Sequence, residues 1–345
     1  MLVSRRGGKA EGRIMGIFII AEAGVNHNGS LAIAKKMVDA AKACGADAVK
    51  FQAFRADRLV SRTAPKAAYQ KKACGADETQ LEMLRRLELT PAGHQSLFRH
   101  CLARRILYLA SPFDQASADD LAALGMKAFK VPSGEITNHP FLAHVALLGR
   151  PIYLSTGMST LGEIEAALGV IRENGKPPVT LLHCVTEYPA PYQEINLKAM
   201  ETMRRAFGLP VGYSDHTDGI EISIAAAALG AVVIEKHFTL DRGMAGPDHR
   251  SSLEPAALAA MIKAIRHVES ALGDGIKGPA PCEIRNISAV RKSIVAARDI
   301  RAGEVLRPEL LAVKRPAGGI GPERWRDIIG RKAVRSFQRD EMIEI

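Results

Sequence analysis

The chain has little aromatic content, 5% with one Trp in 345 residues, and only five cysteines. Cys44, Cys74, Cys101, Cys184 and Cys282 are odd in number, scattered, and never spaced CxxC. That pattern disfavours a zinc ribbon or a disulfide framework and points to reduced thiols in a cytoplasm. No apolar run reaches the ~18 residues that span a bilayer, so no membrane partner is expected. The basic start MLVSRRGGKAEGRIMG lacks an apolar stretch before a small-residue cleavage site and does not read as a secretory signal. No GxGxxG follows the first apolar run, which disfavours a doubly wound dinucleotide fold. Short internal repeats are also missing.

What is present is ordinary for a soluble globular protein: 47% hydrophobic and 24% charged residues. The net charge of +10 sits mainly at the ends. Residues 1–15 hold four basic and one acidic side chain, and residues 285–345 hold fourteen basic and eight acidic. The centre is close to neutral. Basic ends can serve nucleic acid, but with so few aromatics there is no platform for stacking bases. An acidic small-molecule substrate is the expectation, without nucleic acid.

Eight short apolar runs alternate with amphipathic stretches. The runs are IFIIAEAG (17–24), ADAVKFQ (46–52), ILYLAS (106–111), KAFKV (127–131), PIYLSTG (151–157), VTLLHC (179–184), PVGYSDH (210–216) and AVVIEKH (231–237). Each is too short for a helix and too continuously apolar for an edge strand. Between them, LAIAKKMVDAAKACG, LGEIEAALGVIREN and IEISIAAAALG read as helices. Eight strand–helix units predict an α/β fold, a (β/α)₈ TIM barrel over 16–275. Residues 1–15 are expected to be a disordered basic tail. Gly/Pro-bearing 276–286 reads as a linker, and 287–345 as a small β-rich domain. About 60 residues are marginal alone, so this domain is expected to lean on the barrel or on another subunit.

In such a barrel, catalytic residues emerge at the C-terminal strand ends. Here those ends carry Glu22, Asn26 and His27; Lys50 and Gln52; Ser111; Lys130, Ser133 and Glu135; Ser155; His183; Ser214, Asp215 and His216; and Glu235, Lys236 and His237. His216 and His237 end adjacent runs and suit a divalent metal, with Glu22 and Asp248 able to complete a His/carboxylate set. Lys50, Lys130 and the serines suit phosphate and carboxylate. The competing reading is structural: strand-end serines that only cap helices, and histidines satisfied in the core.

The ordered segments AEAGVNHNG, VKFQ, SPFD, KVPSGE, LSTGM, LLHC, EYPAPY, GYSDHT, EKHFTL and GPDH closely resemble the bacterial sialic acid (nonulosonate) synthases, of the N-acetylneuraminate and N,N'-diacetyllegionaminate type. KRPAGGIG resembles that family's C-terminal antifreeze-like SAF domain, and the likeness spans about residues 16–345. It implies a TIM barrel followed by a SAF domain, in a domain-swapped homodimer. The implied reaction condenses phosphoenolpyruvate with N-acetylmannosamine or 2,4-diacetamido-2,4,6-trideoxymannose, breaks the C–O bond of phosphoenolpyruvate, and uses Mn²⁺ or Mg²⁺. By motif, His216 and His237 are implied metal ligands, and Glu22 and Glu235 catalytic carboxylates. Lys50, Ser111, Lys130, Ser133, Ser155 and Ser214 fall at phosphoenolpyruvate positions, with Gln52 and Glu135 among the substrate contacts. Tyr188 and Asp248 fall at sugar positions, and Arg315 would come from the partner subunit to the acetamido group.

Two positions depart from the neuraminate pattern: Ala73 and Thr186 stand where members carry Asn. Losing an amide removes a donor and an acceptor, so a sugar with a different substituent is expected, and the resemblance of PSGEITNHP and VGYSDHT leans it toward the legionaminate type. Two other readings are a Schiff-base pyruvate aldolase using Lys50, Lys130 or Lys236, and a catalytically silent barrel that binds glycans.

Overall fold

In the computed structural model, residues 16–66 and 78–345 are described. The expectations for the N-terminal tail and for Ala73 lie outside them. Contacts divide the chain into two compact units, one up to Gly273 and one over Asp274–Ile345.

The first unit holds all eight anticipated strands: β1 (Phe18–Gly24), β2 (Ala48–Ala53), β3 (Leu107–Pro112), β4 (Phe129–Val131), β5 (Ile152–Ser155), β6 (Val179–His183), β7 (Val211–Asp215) and β8 (Val233–His237). They pair in parallel in the order β3-β2-β1-β8-β7-β6-β5-β4, and β3 and β4 lie side by side, so the sheet nearly closes into a TIM barrel. Parallel neighbours need crossover connections, and helices supply them. Leu31–Ala43 starts at Ser30, whose hydroxyl accepts from Ile33 N, and it buries Ala34, Met37, Val38 and Ala41 at helical spacing. Leu161–Glu173 starts with a Thr160/Glu163 capping box and buries Ile164, Ala167, Leu168 and Ile171.

Side chains alternate across each strand. Ile19, Ala21, Val49 and Phe51 face outward into the helix layer. Ile20, Ala48, Leu109, Ala128, Leu182 and Val233 face inward and fill the barrel with a second apolar cluster. That filled interior is the floor on which the polar site stands.

The second unit has its own core of Ile294, Ala296, Ile300, Leu306, Leu310, Phe337 and Ile343. Its strands β9 (Ser293–Ala296) and β10 (Leu311–Lys314) are antiparallel, supported by bridges Ile300–Phe337 and Val305–Lys332. The segment read as a linker differs from expectation. Pro281–Val290 is a helix, opened by Pro281 and by Ala280 N–H donating to Glu283 at 2.8 Å. No described helix is long and apolar enough to cross a membrane.

Candidate active site

Two residues beyond each inward floor position, the next inward side chain is chemically active. Ile20 is followed by Glu22, Ala48 by Lys50, Leu109 by Ser111, Ala128 by Lys130, Tyr153 by Ser155, Leu182 by Cys184 and Val233 by Glu235. These side chains line one cavity of about 290 Å³, together with Gln52, Ser133, Thr186, Tyr188, Ser214, His216, His237 and Asp248. Lys50 Nζ lies 2.8 Å from Glu22 and 3.7 Å from Glu235, and donates to Ser111 Oγ at 3.1 Å. Lys130 Nζ lies 3.4 Å from the other oxygen of Glu235, which also accepts from Ser214 at 2.8 Å. Two ammonium groups therefore flank one carboxylate, and a second carboxylate stands behind Lys50.

Burial sets these groups apart. It raises Glu22 from 4.5 to about 7, against the pull of Lys50. Burial acts on Glu235 too, but Lys130, Lys50 and the Ser214 hydroxyl outweigh it and hold the carboxyl at about 2. Two neighbouring carboxylates thus have opposite proton habits, as acid/base pairs require. Lys50 is raised although burial opposes it, because Glu22 and Glu235 favour its charge; Lys130 is lowered by burial. Asp248 is raised by burial to about 6.

Burial lowers His216 to about 4 and drives His237 well below its usual value, with His216 and Lys50 adding repulsion. Both rings are neutral at pH 7. His216 Nδ1 lies 2.6 Å from Val185 O. A carbonyl only accepts, so Nδ1 carries the proton and Nε2 keeps its lone pair. The two ring centroids are 5.6 Å apart, and the Tyr188 ring packs against both. His237 Nδ1, Ser155 Oγ and Thr186 Oγ1 are buried with no hydrogen-bond partner; Glu22 Oε2 and Glu235 Oε2 have ionic contact with Lys50 without a well-directed hydrogen bond. Buried polar atoms are rarely left so. No cage of three or more His, Cys, Asp or Glu occurs among the described residues. Two neutral imidazoles do fit an open metal site, whose remaining positions go to water or substrate.

Gly157 permits this crowding. A Cβ there would stand 2.3 Å from Thr186 Oγ1 and 2.8 Å from Ser133 Oγ, and its N–H donates to Ser133 Oγ at 2.9 Å.

Some anticipated residues fall elsewhere. Glu135 accepts from Asn138 at 2.7 Å and is not in the cavity wall. His183 turns away and bonds Ile195 O at 2.7 Å, and Cys184 takes its place. Lys236 also points out of the mouth, 3.0 Å from Asp215, so it cannot be a Schiff-base nucleophile there. Arg315 lies in the second unit, directly after β10. Cys184, Leu59, Val60, Gln80, Leu84 and Phe113 line the cavity and were not anticipated. For Cys184 the signal existed in the two-residue period from Leu182.

The NeuB family pattern matches residues 37–277, and the SAF domain pattern matches residues 291–344. The chain is 53% identical to the N,N'-diacetyllegionaminic acid synthase of Campylobacter jejuni over 94% of its own length and 98% of that protein. It is 46% identical to the N,N'-diacetyllegionaminic acid synthase of Legionella pneumophila, over 94% and 92%. The crystal structure of an N-acetylneuraminic acid synthetase from Leptospira borgpetersenii, 34% identical, superposes with a TM-score of 0.71 over 79% of this chain and 90% of that one. With the matched barrel, the matched end domain and relatives this similar along nearly the whole length, the chain belongs to the NeuB family.

Proposed function

We propose that the protein condenses phosphoenolpyruvate with 2,4-diacetamido-2,4,6-trideoxymannose to give N,N'-diacetyllegionaminate and phosphate. The observation that carries the reaction class is the Lys50–Glu235–Lys130 array, buried beside unpartnered hydroxyls in one cavity. The choice of sugar rests on the similarity to two diacetyllegionaminic acid synthases, together with Thr186 in the cavity wall.

Phosphoenolpyruvate is trianionic or nearly so, and charge-assisted contacts from Lys50 and Lys130 with donors from Ser111, Ser133, Ser155 and Ser214 hold it across the cavity. C3 of phosphoenolpyruvate then bonds to C1 of the open-chain sugar. Water adds to C2, and the C2–O bond to phosphate breaks, so the bridging oxygen leaves with phosphate. Glu22, with a pKa of about 7, exchanges its proton readily at neutral pH and suits the role of base toward the attacking water. Glu235 stays ionised between the lysines and fixes their spacing. His216 and His237 would hold Mn²⁺ or Mg²⁺, which supplies Lewis-acid polarisation of the aldehyde and orientation of water. Tyr188 and Asp248 border the sugar end. Arg315 reaches the acetamido group from the partner subunit of a domain-swapped homodimer. The thiols Cys44, Cys101, Cys184 and Cys282 are free, in keeping with a cytoplasmic enzyme.

The test is phosphate release with purified protein, Mn²⁺, phosphoenolpyruvate and either acetamido sugar. Faster turnover with the diacetamido sugar, with ¹⁸O from the bridging position recovered in phosphate, is the expected result. Preference for N-acetylmannosamine would overturn the sugar assignment. Borohydride trapping of pyruvate on a lysine would replace the mechanism with the aldolase one.

A further inference from the structure

We propose that Asp215 and Lys236 are positioning residues whose buried ion pair, on the outer face of β7 and β8, sets how His216 meets His237 inside the mouth. The inference rests on the reading of those histidines as metal ligands. In the β7–β8 ladder Ser214 lies opposite Glu235, and Asp215 opposite Lys236 is the last registered pair. Beyond that rung no backbone ladder ties His216 to His237. The side chains take over there. Lys236 Nζ lies 3.0 Å from Asp215 Oδ2, with side chains 1% and 0% exposed.

The pair belongs to a closed knot. Thr217 N–H and Oγ–H donate to Asp215 Oδ1 at 2.9 and 2.7 Å, and Ser223 Oγ–H donates to Oδ2 at 2.6 Å. Lys236 Nζ donates to Thr217 O at 2.6 Å. His216 sits between Asp215 and Thr217, so the knot holds its backbone on both sides, while Val185 O holds its ring. His237 directly follows Lys236. A well-packed apolar pair stabilises a core as well as a buried ion pair does. It could not supply these directed bonds, which specify the height and orientation of both strand ends. Partners behind metal-binding imidazoles act in this way.

The experiment uses the full chain. Asp215→Asn combined with Lys236→Met removes both charges and strands neither. Mn²⁺ binding is read from the electron paramagnetic resonance of the free ion, and the histidine ring ¹⁵N–¹H resonances are read without metal. Circular dichroism confirms the fold. The expected result is a folded protein whose Mn²⁺ Kd rises about 10- to 100-fold, with shifted His216 and His237 ring resonances. The KM for phosphoenolpyruvate should stay within about twofold, since Lys50 and Lys130 stand on other strands and Ser214 and Glu235 stay fixed by their own rung of the ladder and their 2.8 Å hydrogen bond. A folded variant with unchanged Mn²⁺ Kd and unchanged ring resonances overturns the proposal. If wild-type protein takes up no Mn²⁺, the metal reading fails, and the ring resonances still decide the positioning role. If the double variant does not fold, Ser223→Ala trims one bond of the knot. A Kd rise of about threefold supports the proposal and none refutes it.

Discussion

Lys50→Met separates stability from chemistry. Breaking a buried ion pair by deleting one partner ordinarily costs about 3–5 kcal/mol, because the other charge is left uncompensated. Here Lys50 contacts two carboxylates, at 2.8 and 3.7 Å, with its own side chain 4% exposed. The larger penalty is nonetheless not expected. Glu22 is already raised from 4.5 to about 7, which at pH 7 amounts to about 3 kcal/mol of unfavourable burial in the folded state. When Lys50 is lost, Glu22 binds a proton. Once it is neutral, no further rise in its pKa adds cost, and from half-protonated to fully protonated adds only a fraction of a kcal/mol at pH 7, about RT ln 2. Glu235 loses the pull of Lys50 but keeps Lys130 and Ser214, so it stays ionised at a smaller cost.

The expectation is therefore a folded Lys50→Met protein, destabilised by about 1–2 kcal/mol, mostly from the weaker hold on Glu235, or ~2–8 °C in Tm for a domain of this size. Phosphate release from phosphoenolpyruvate should fall by about a thousandfold or more. Removing a buried, charge-assisted contact to an anion costs several kcal/mol of binding, and about 1.4 kcal/mol is a factor of ten. Thermal melts and a coupled phosphate assay on the same preparation decide it. A Tm loss of ten degrees or more would refute the proton-uptake reasoning. Turnover within tenfold of wild type would show that Lys50 does not face phosphoenolpyruvate.

His216→Ala and His237→Ala should each abolish turnover while leaving circular dichroism unchanged; full activity of either, or of wild type in excess chelator, contradicts the two-histidine metal site. Gly157→Ala should cost about 1–3 kcal/mol by overpacking, because its methyl group would sit 2.3 Å from Thr186 Oγ1, and the KM for phosphoenolpyruvate should rise; a wild-type melt with unchanged KM rules out the crowding. His94 is lowered by burial from 6.5 to about 4 and pairs with the Tyr108 hydroxyl at 2.7 Å. Its folded pKa is depressed, so the unfolded chain binds the proton first as pH falls: stability is full above pH 6.5 and declines by about 3 kcal/mol down to pH 4. His94→Gln should flatten that slope in melts across the window, and an unaltered slope means other groups carry it. Mixing His237→Ala with Arg315→Ala under subunit exchange should restore activity, since a swapped heterodimer contains one complete site; no recovery despite proven heterodimers rejects the shared site.

The strands were legible because each is short, apolar on both faces and bounded by turn residues, and the eight occur close to where the runs lie. Most of the site was legible for the same reason: an inward apolar residue is followed two positions later by another inward one, so Ile20 points to Glu22 and Val233 to Glu235. Where strand-end position was used without that alternation, it went astray. His183 and Lys236 are polar residues at strand ends, but both fall on the odd register and face away from the mouth, while Cys184 faces in. The helix at Pro281–Val290 was hidden by its Gly/Pro-rich approach, although Pro281 and Glu283 form a helix-start pattern. The pKa ordering was not legible at all. Glu22 and Glu235 are the same residue type, each near a strand end, and what separates a carboxyl near 7 from one near 2 is that Glu235 stands between two lysines and accepts from Ser214, while Glu22 contacts Lys50 alone. Residue type and periodicity determine which groups enter the mouth. The division of roles between two like carboxyls depends on how many donors reach each one: Glu235 has two lysines and the Ser214 hydroxyl, and Glu22 has Lys50 alone at contact distance. β1, β4, β7 and β8 must be brought together by folding for that to be decided.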